Sequence, residues 1–133
     1  MRPATLAEAY DRMIGGDPRD MALAEFLDTF YLATIEQRVG SLQTEPRLTG
    51  DARLDALAGA VAEYLSRQYR LNQVPCWAFG ATRYLDRPWH TTSFESDAMR
   101  EYLTASSPAE FASRNIFTEE RPLRRARSHL RQL

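Results

Sequence analysis

The sequence contains no lysine; all 17 of its basic side chains are arginine. It has one cysteine, Cys76, and two histidines, His90 and His129. A single thiol excludes an internal disulfide and gives no sign of an oxidising compartment. One cysteine and two histidines, with none of the short paired spacings of zinc sites, provide no metal-ligand set. No run approaches the roughly 18 apolar residues of a membrane-spanning helix. The opening segment, MRPATLAEAYDRM, lacks the apolar core of a secretory signal. The pair Gly15-Gly16 has no phosphate-loop context and reads as a turn. These absences lead us to expect a cytoplasmic protein without membrane segment, metal or cofactor.

What is present describes one globular unit. With 133 residues, 44% of them apolar and 26% charged, the chain can bury a core but not two. Net charge is −1, which by itself matches no polyanion. The charge is unevenly distributed. Residues 1–66 hold 11 acids and six arginines, a net of −5; residues 67–133 hold seven acids and 11 arginines, a net of +4. Five arginines, Arg121, Arg124, Arg125, Arg127 and Arg131, follow Glu120 with no acid among them. Arginine recognises carboxylate and phosphate in a bidentate fashion. The same bias, being chain-wide, is also what arginine-rich codon usage produces.

Hydrophobic periodicity predicts helices throughout. The first spans 4–14, with Leu6, Tyr10, Met13 and Ile14 on one face. The second spans about 18–39, from Asp17-Pro18 to a stop at Gly40. A third, at 51–71, repeats Leu54, Leu57, Val61, Leu65 and Tyr69, and its alternate alanines permit close helix approach. A fourth is expected at 94–105, starting at Phe94. Ser107-Pro108-Ala109-Glu110 reads as a capping box opening a short helix to about Arg114. Thr118-Glu119-Glu120 reads as the start of a last helix over 119–131. The expected fold is therefore all-α, a single domain over 1–133 of about five or six helices. Its helical core lies at about 4–71, and an aromatic and arginine-rich part with the C-terminal helices lies at 74–133. Within the latter, residues 74–93 read as an irregular aromatic-rich loop, of a length that is often functional.

That loop and its surroundings supply the candidate contacts. Trp77, Tyr84, Trp89 and Phe94 are either core anchors or exposed binding residues, since tryptophan and tyrosine dominate interaction hot spots. Arg83, Arg87 and Arg114 either bond within the chain or reach a partner. Phe117 and the tail arginines Arg124, Arg125 and Arg127 complete the candidate partner-binding set. Cys76 and His90 would have to meet in space to act as nucleophile and base.

The segments RYLDRPW at 83–89 and SPAEFASRNIF at 107–117 carry a family resemblance. They are similar to a group of small bacterial helical proteins in which RYL-x-x-PW is followed by a helix and then SP-x-x-F-x-x-RN-[IL]-F. The matching positions are Arg83, Tyr84, Leu85, Pro88, Trp89, Ser107, Pro108, Phe111, Arg114, Asn115, Ile116 and Phe117. The resemblance covers roughly residues 74–127, and the run HTTSF after Trp89 departs from it. Members of that group are often encoded beside a nucleotidyltransferase-like protein, an arrangement similar to toxin–antitoxin pairs. The resemblance implies no catalytic residue. It implies a non-enzymatic protein-binding module, the neutralising partner of such a toxin. Two alternatives stand beside it: a nucleic-acid-binding regulator using the basic half, and a self-associating bundle. No helix-turn-helix pair supports the former, because 72–93 is far longer than a tight turn.

Overall fold

In a computed structural model describing residues 2–92 and 96–125, the chain is all-α, with one minimal strand pairing. Thr5 caps α1 (Leu6–Ile14) by accepting the Glu8 amide, and Leu6, Ala9 and Tyr10 face inward. Gly16, at φ 113°, turns the chain into α2 (Arg19–Leu32), which buries Phe26, Leu27, Phe30 and Tyr31. Asp51 caps α4 (Ala52–Gln68) through the amides of Arg53 and Leu54. α4 is the axis of the molecule. Every residue from Asp55 to Glu63 is buried, so other elements cover it nearly all round.

The expected long second helix is two helices. α2 ends at Leu32, and α3 (Ile35–Gln43) begins after an extended Ala33-Thr34. Thr34 accepts the Gln37 amide while the Gln37 side chain accepts the Thr34 amide, a reciprocal cap that restarts the helix. Gly40 consequently lies inside α3, not at a helix stop. Arg38 of α3 reaches back to donate to the carbonyls of Phe30 and Tyr31 at the end of α2. Its guanidinium also lies over the rings of Phe30 and Tyr69. A cation there satisfies the orphan carbonyls and the negative end of the helix dipole.

The segment expected to be irregular is ordered by short elements. Two 3-10 turns, Cys76–Phe79 and Ala81–Arg83, lie along α4, and β1 (Trp89–His90) follows. α5 (Asp97–Ser106) starts from a Ser96 cap, and Phe94 lies outside the described residues. α6 (Ala109–Ala112) leads to β2 (Ile116–Phe117), which pairs in parallel with β1 as Trp89–Ile116 and His90–Phe117. The Ser107 capping box does not form. The Ser107 hydroxyl donates instead to the Ile116 carbonyl, and Pro108 caps α6 without a side-chain bond. Residues 119–125 are not helical; the rest of the expected last helix, with Arg127, His129 and Arg131, lies outside the described residues. No helix among the described residues is long and apolar enough to cross a membrane.

Candidate functional site

The site is built on a gap in α4. Gly59 sits in its buried middle, and a Cβ there would come within 2.8 Å of Arg83 Cβ, 2.9 Å of the Ala78 carbonyl and 3.0 Å of Arg114 Nε. The missing side chain lets two arginines lie against the helix. Both have side chains with 0% exposure. Arg83 donates to the carbonyls of Asp55 and Pro46 and to the Glu45 carboxylate at 2.9 Å. Arg114 donates to Glu63 Oε1 at 2.6 Å and to the carbonyls of Glu110 and Ala78. Each guanidinium thus ties backbone from the 74–117 region or the 45–46 loop to α4. Bonds to charged groups are about twice as strong as neutral ones, and an unpaired buried charge is very costly. Both arginines, candidates for partner contact from the sequence, are therefore committed inside the fold and offer no surface.

Glu63 completes this anchor. Burial alone would raise its carboxyl, but hydrogen bonds and charge from Arg114 and Arg67 prevail and hold it below its ordinary value of 4.5. Arg67 Nη2 lies 2.8 Å from Glu63 Oε2, one turn away on α4.

The two resembling segments clasp one another. Asn115, in the left-handed region at φ 64°, donates its Nδ2 to the Leu85 carbonyl. The Leu85 amide bonds the Arg114 carbonyl, the Trp89 amide the Asn115 carbonyl, and the Thr91 amide the Phe117 carbonyl. Short-chain polar residues tolerate the left-handed region best, which suits asparagine there. Trp89 is buried, with Arg19 and Arg53 each over its ring. Phe117 is half-buried and stacks on His90, whose Nε2 meets the Thr104 hydroxyl at 3.1 Å. Trp77 is half-buried and donates its indole N–H to the Leu42 carbonyl, with Arg83 over its ring.

No protein-family model, curated protein or solved structure matches the chain.

What this scaffold leaves outside is a pair of aromatic rings. Phe79 is 47% exposed and Tyr84 37% exposed. Both lie on the Arg114 guanidinium, at 5.8 and 4.7 Å from its carbon. Cys76, Gly80, Ala81, Thr82 and Arg87 are exposed along the same stretch. Phe79 was not singled out by sequence reasoning; its position after Trp77 in the 3-10 turn, with the indole turned inward, is what leaves it outside. The tail arginines sit elsewhere. Arg125 pairs with Asp28 at 3.1 Å, and Arg124 lies 3.6 Å from Glu119. Tyr31 donates to the Leu123 carbonyl, which docks this stretch on α2. Arg127 lies outside the described residues. Among the described residues no three of His, Cys, Asp or Glu gather as a metal site, and no hydrogen bond joins Cys76 to His90.

Proposed function

We propose that this chain is a non-enzymatic protein-binding module and that Phe79 and Tyr84 are its anchoring contacts. One observation carries the reading: two exposed aromatic rings sit on a fully buried, ion-paired guanidinium. Such rings are held in place before binding, so little ordering is lost when a partner covers them. Aromatic anchors of this kind dominate protein–protein hot spots. The resemblance at 83–89 and 107–117 adds the partner class, a nucleotidyltransferase-like toxin that the chain would neutralise. The nucleic-acid reading has less support: Arg83 and Arg114 are buried, and Arg124 and Arg125 lie against acids.

The test is direct. The protein and a candidate nucleotidyltransferase-like partner are purified, and affinity is measured by titration calorimetry for the natural chain and for a Phe79→Ser, Tyr84→Ser double variant. Losing a hot-spot aromatic costs about 2 kcal/mol or more, so affinity should fall by roughly thirtyfold or more. Circular dichroism should show the helical content retained. Undiminished affinity in a folded double variant would remove these rings from the interface.

A further inference from the structure

A concave feature lies away from the aromatic pair, where the segment entering α1, the end of α2 and α3 meet. It is a cavity of about 580 Å³, within the size range of small-molecule sites. Ala4, Phe30, Leu32 and Ala33 supply apolar lining, and Leu32 is 49% exposed. Gly40 also lines it. This glycine stands inside α3, where it weakens the helix by about 0.5–1 kcal/mol relative to alanine. Nothing local requires it: its φ is not left-handed, and a Cβ there would meet no atom within 4 Å. Gly40 is exposed, and its missing side chain leaves this edge of the cavity bare.

The polar groups around this space are unequal. Asp28 is already taken: Arg125 donates to both of its oxygens, at 3.1 and 3.4 Å. The Thr29 and Ser41 hydroxyls donate to helix carbonyls. Arg2 makes a single looser approach to Asp28, at 3.6 Å, with half of its side chain exposed. Gln37 accepts the Thr34 amide with Oε1, while its Nε2 has no hydrogen-bond partner among the described residues. The groups with capacity to spare are therefore donors, one of them cationic, beside an apolar wall.

We propose that this cavity binds a small amphiphile, an apolar chain ending in one carboxylate. The chain lies along Ala4, Leu32, Ala33 and the bare face of Gly40, and the carboxylate is held by Arg2 and Gln37. This site is independent of the aromatic surface and of the protein partner proposed above.

The experiment uses decanoate below its micellar concentration, with decanol and acetate as controls, titrated calorimetrically into the full chain. Decanoate binds, acetate does not, and decanol binds about tenfold more weakly, the worth of a charge-assisted hydrogen bond. Arg2→Gln weakens decanoate about tenfold and leaves decanol unchanged. Gly40→Leu places its side chain in the cavity and lowers the affinity for both by at least tenfold, without lowering the melting temperature. Gly40→Ala serves as the folding control alone. Two results overturn the proposal: no decanoate binding to the natural chain, or binding that Gly40→Leu leaves intact. Equal affinity for decanol and decanoate, insensitive to Arg2→Gln, overturns the head-group assignment.

Discussion

Replacing Gly59 with alanine should destabilise the protein, although α4 would gain helix propensity. On propensity alone, alanine improves on glycine inside a helix by about 1 kcal/mol. Against this, the new methyl would lie 2.8 Å from Arg83 Cβ, 2.9 Å from a backbone oxygen and 3.0 Å from Arg114 Nε. None of these is the free end of a flexible side chain. Arg83 Cβ is fixed by its backbone, the Ala78 carbonyl by its turn, and Arg114 by the Glu63, Glu110 and Ala78 bonds. Overpacking a well-filled interior costs about 1–3 kcal/mol. Loosening a buried ion pair raises that, since breaking one outright costs about 3–5 kcal/mol. The net expectation is a loss of about 1–3 kcal/mol after the propensity gain is set against it. The control is the same substitution at Gly40, where a Cβ meets nothing within 4 Å; it should stabilise by about 0.5–1 kcal/mol. Urea unfolding of the two variants beside the natural chain compares them, with the slope of the transition verifying two-state behaviour. Opposite signs are required. If Gly59→Ala stabilises as Gly40→Ala does, the arginines are not packed against α4, and the account of the anchor fails.

Two further outcomes follow from the same anchor and clasp. Asn115→Ala should cost more than Asn115→Gly, because both lose the bond to the Leu85 carbonyl but only alanine is strained at φ 64°; the gap between their unfolding midpoints should correspond to about 1 kcal/mol. Glu63→Gln should lower stability at neutral pH by about 3 kcal/mol, because Arg114 loses its buried counter-charge. Because the Glu63 carboxyl is depressed in the folded state, its contribution is complete above its ordinary 4.5 and is lost as pH falls through the folded value. Unfolding measured at pH 7 and at successively lower pH should therefore show a shallower acid decline in Glu63→Gln, and parallel declines would contradict the depressed carboxyl.

The helices were legible where the signal was local. The Leu54, Leu57, Val61, Leu65 spacing survives in α4. The break between α2 and α3 was written in Thr34-x-x-Gln37, but an apolar face continuing through Ile35 concealed it. In the folded chain Ile35 is 66% exposed, so that residue belongs to no core face at all. At the C-terminal end the local signal was overruled. Thr118-Glu119-Glu120 has the chemistry of a helix start, yet Thr118 is buried and its carbonyl accepts the Ser106 hydroxyl, while Leu123 is held by Tyr31 across 92 residues. Docking of that reach has no trace in a window of a few residues.

The sequence left the role of the arginines open, within the chain or toward a partner, for a related reason. Charged side chains are almost never fully buried unless paired, and the partners that bury Arg83 and Arg114 lie as far as 38 and 51 residues away. The available clue was Gly59 among alanines, a glycine in a helix interior that marks close approach. Once that is seen, the two resembling segments acquire a physical meaning. Arg83, Trp89, Arg114 and Asn115 spend their polar groups or backbone amides on holding 83–91 against 107–117 and α4, and Ser107 braces 107–117 internally through the Ile116 carbonyl. A pattern made of those residues specifies a scaffold, and a resemblance carried by them is first a resemblance of fold. On the binding function proposed above, recognition would fall to groups the clasp does not consume. The outward faces of Phe79 and Tyr84 are such groups, and Phe79 stands outside the pattern altogether. Chains sharing the clasp but differing at position 79 should therefore share this architecture and differ in what they bind.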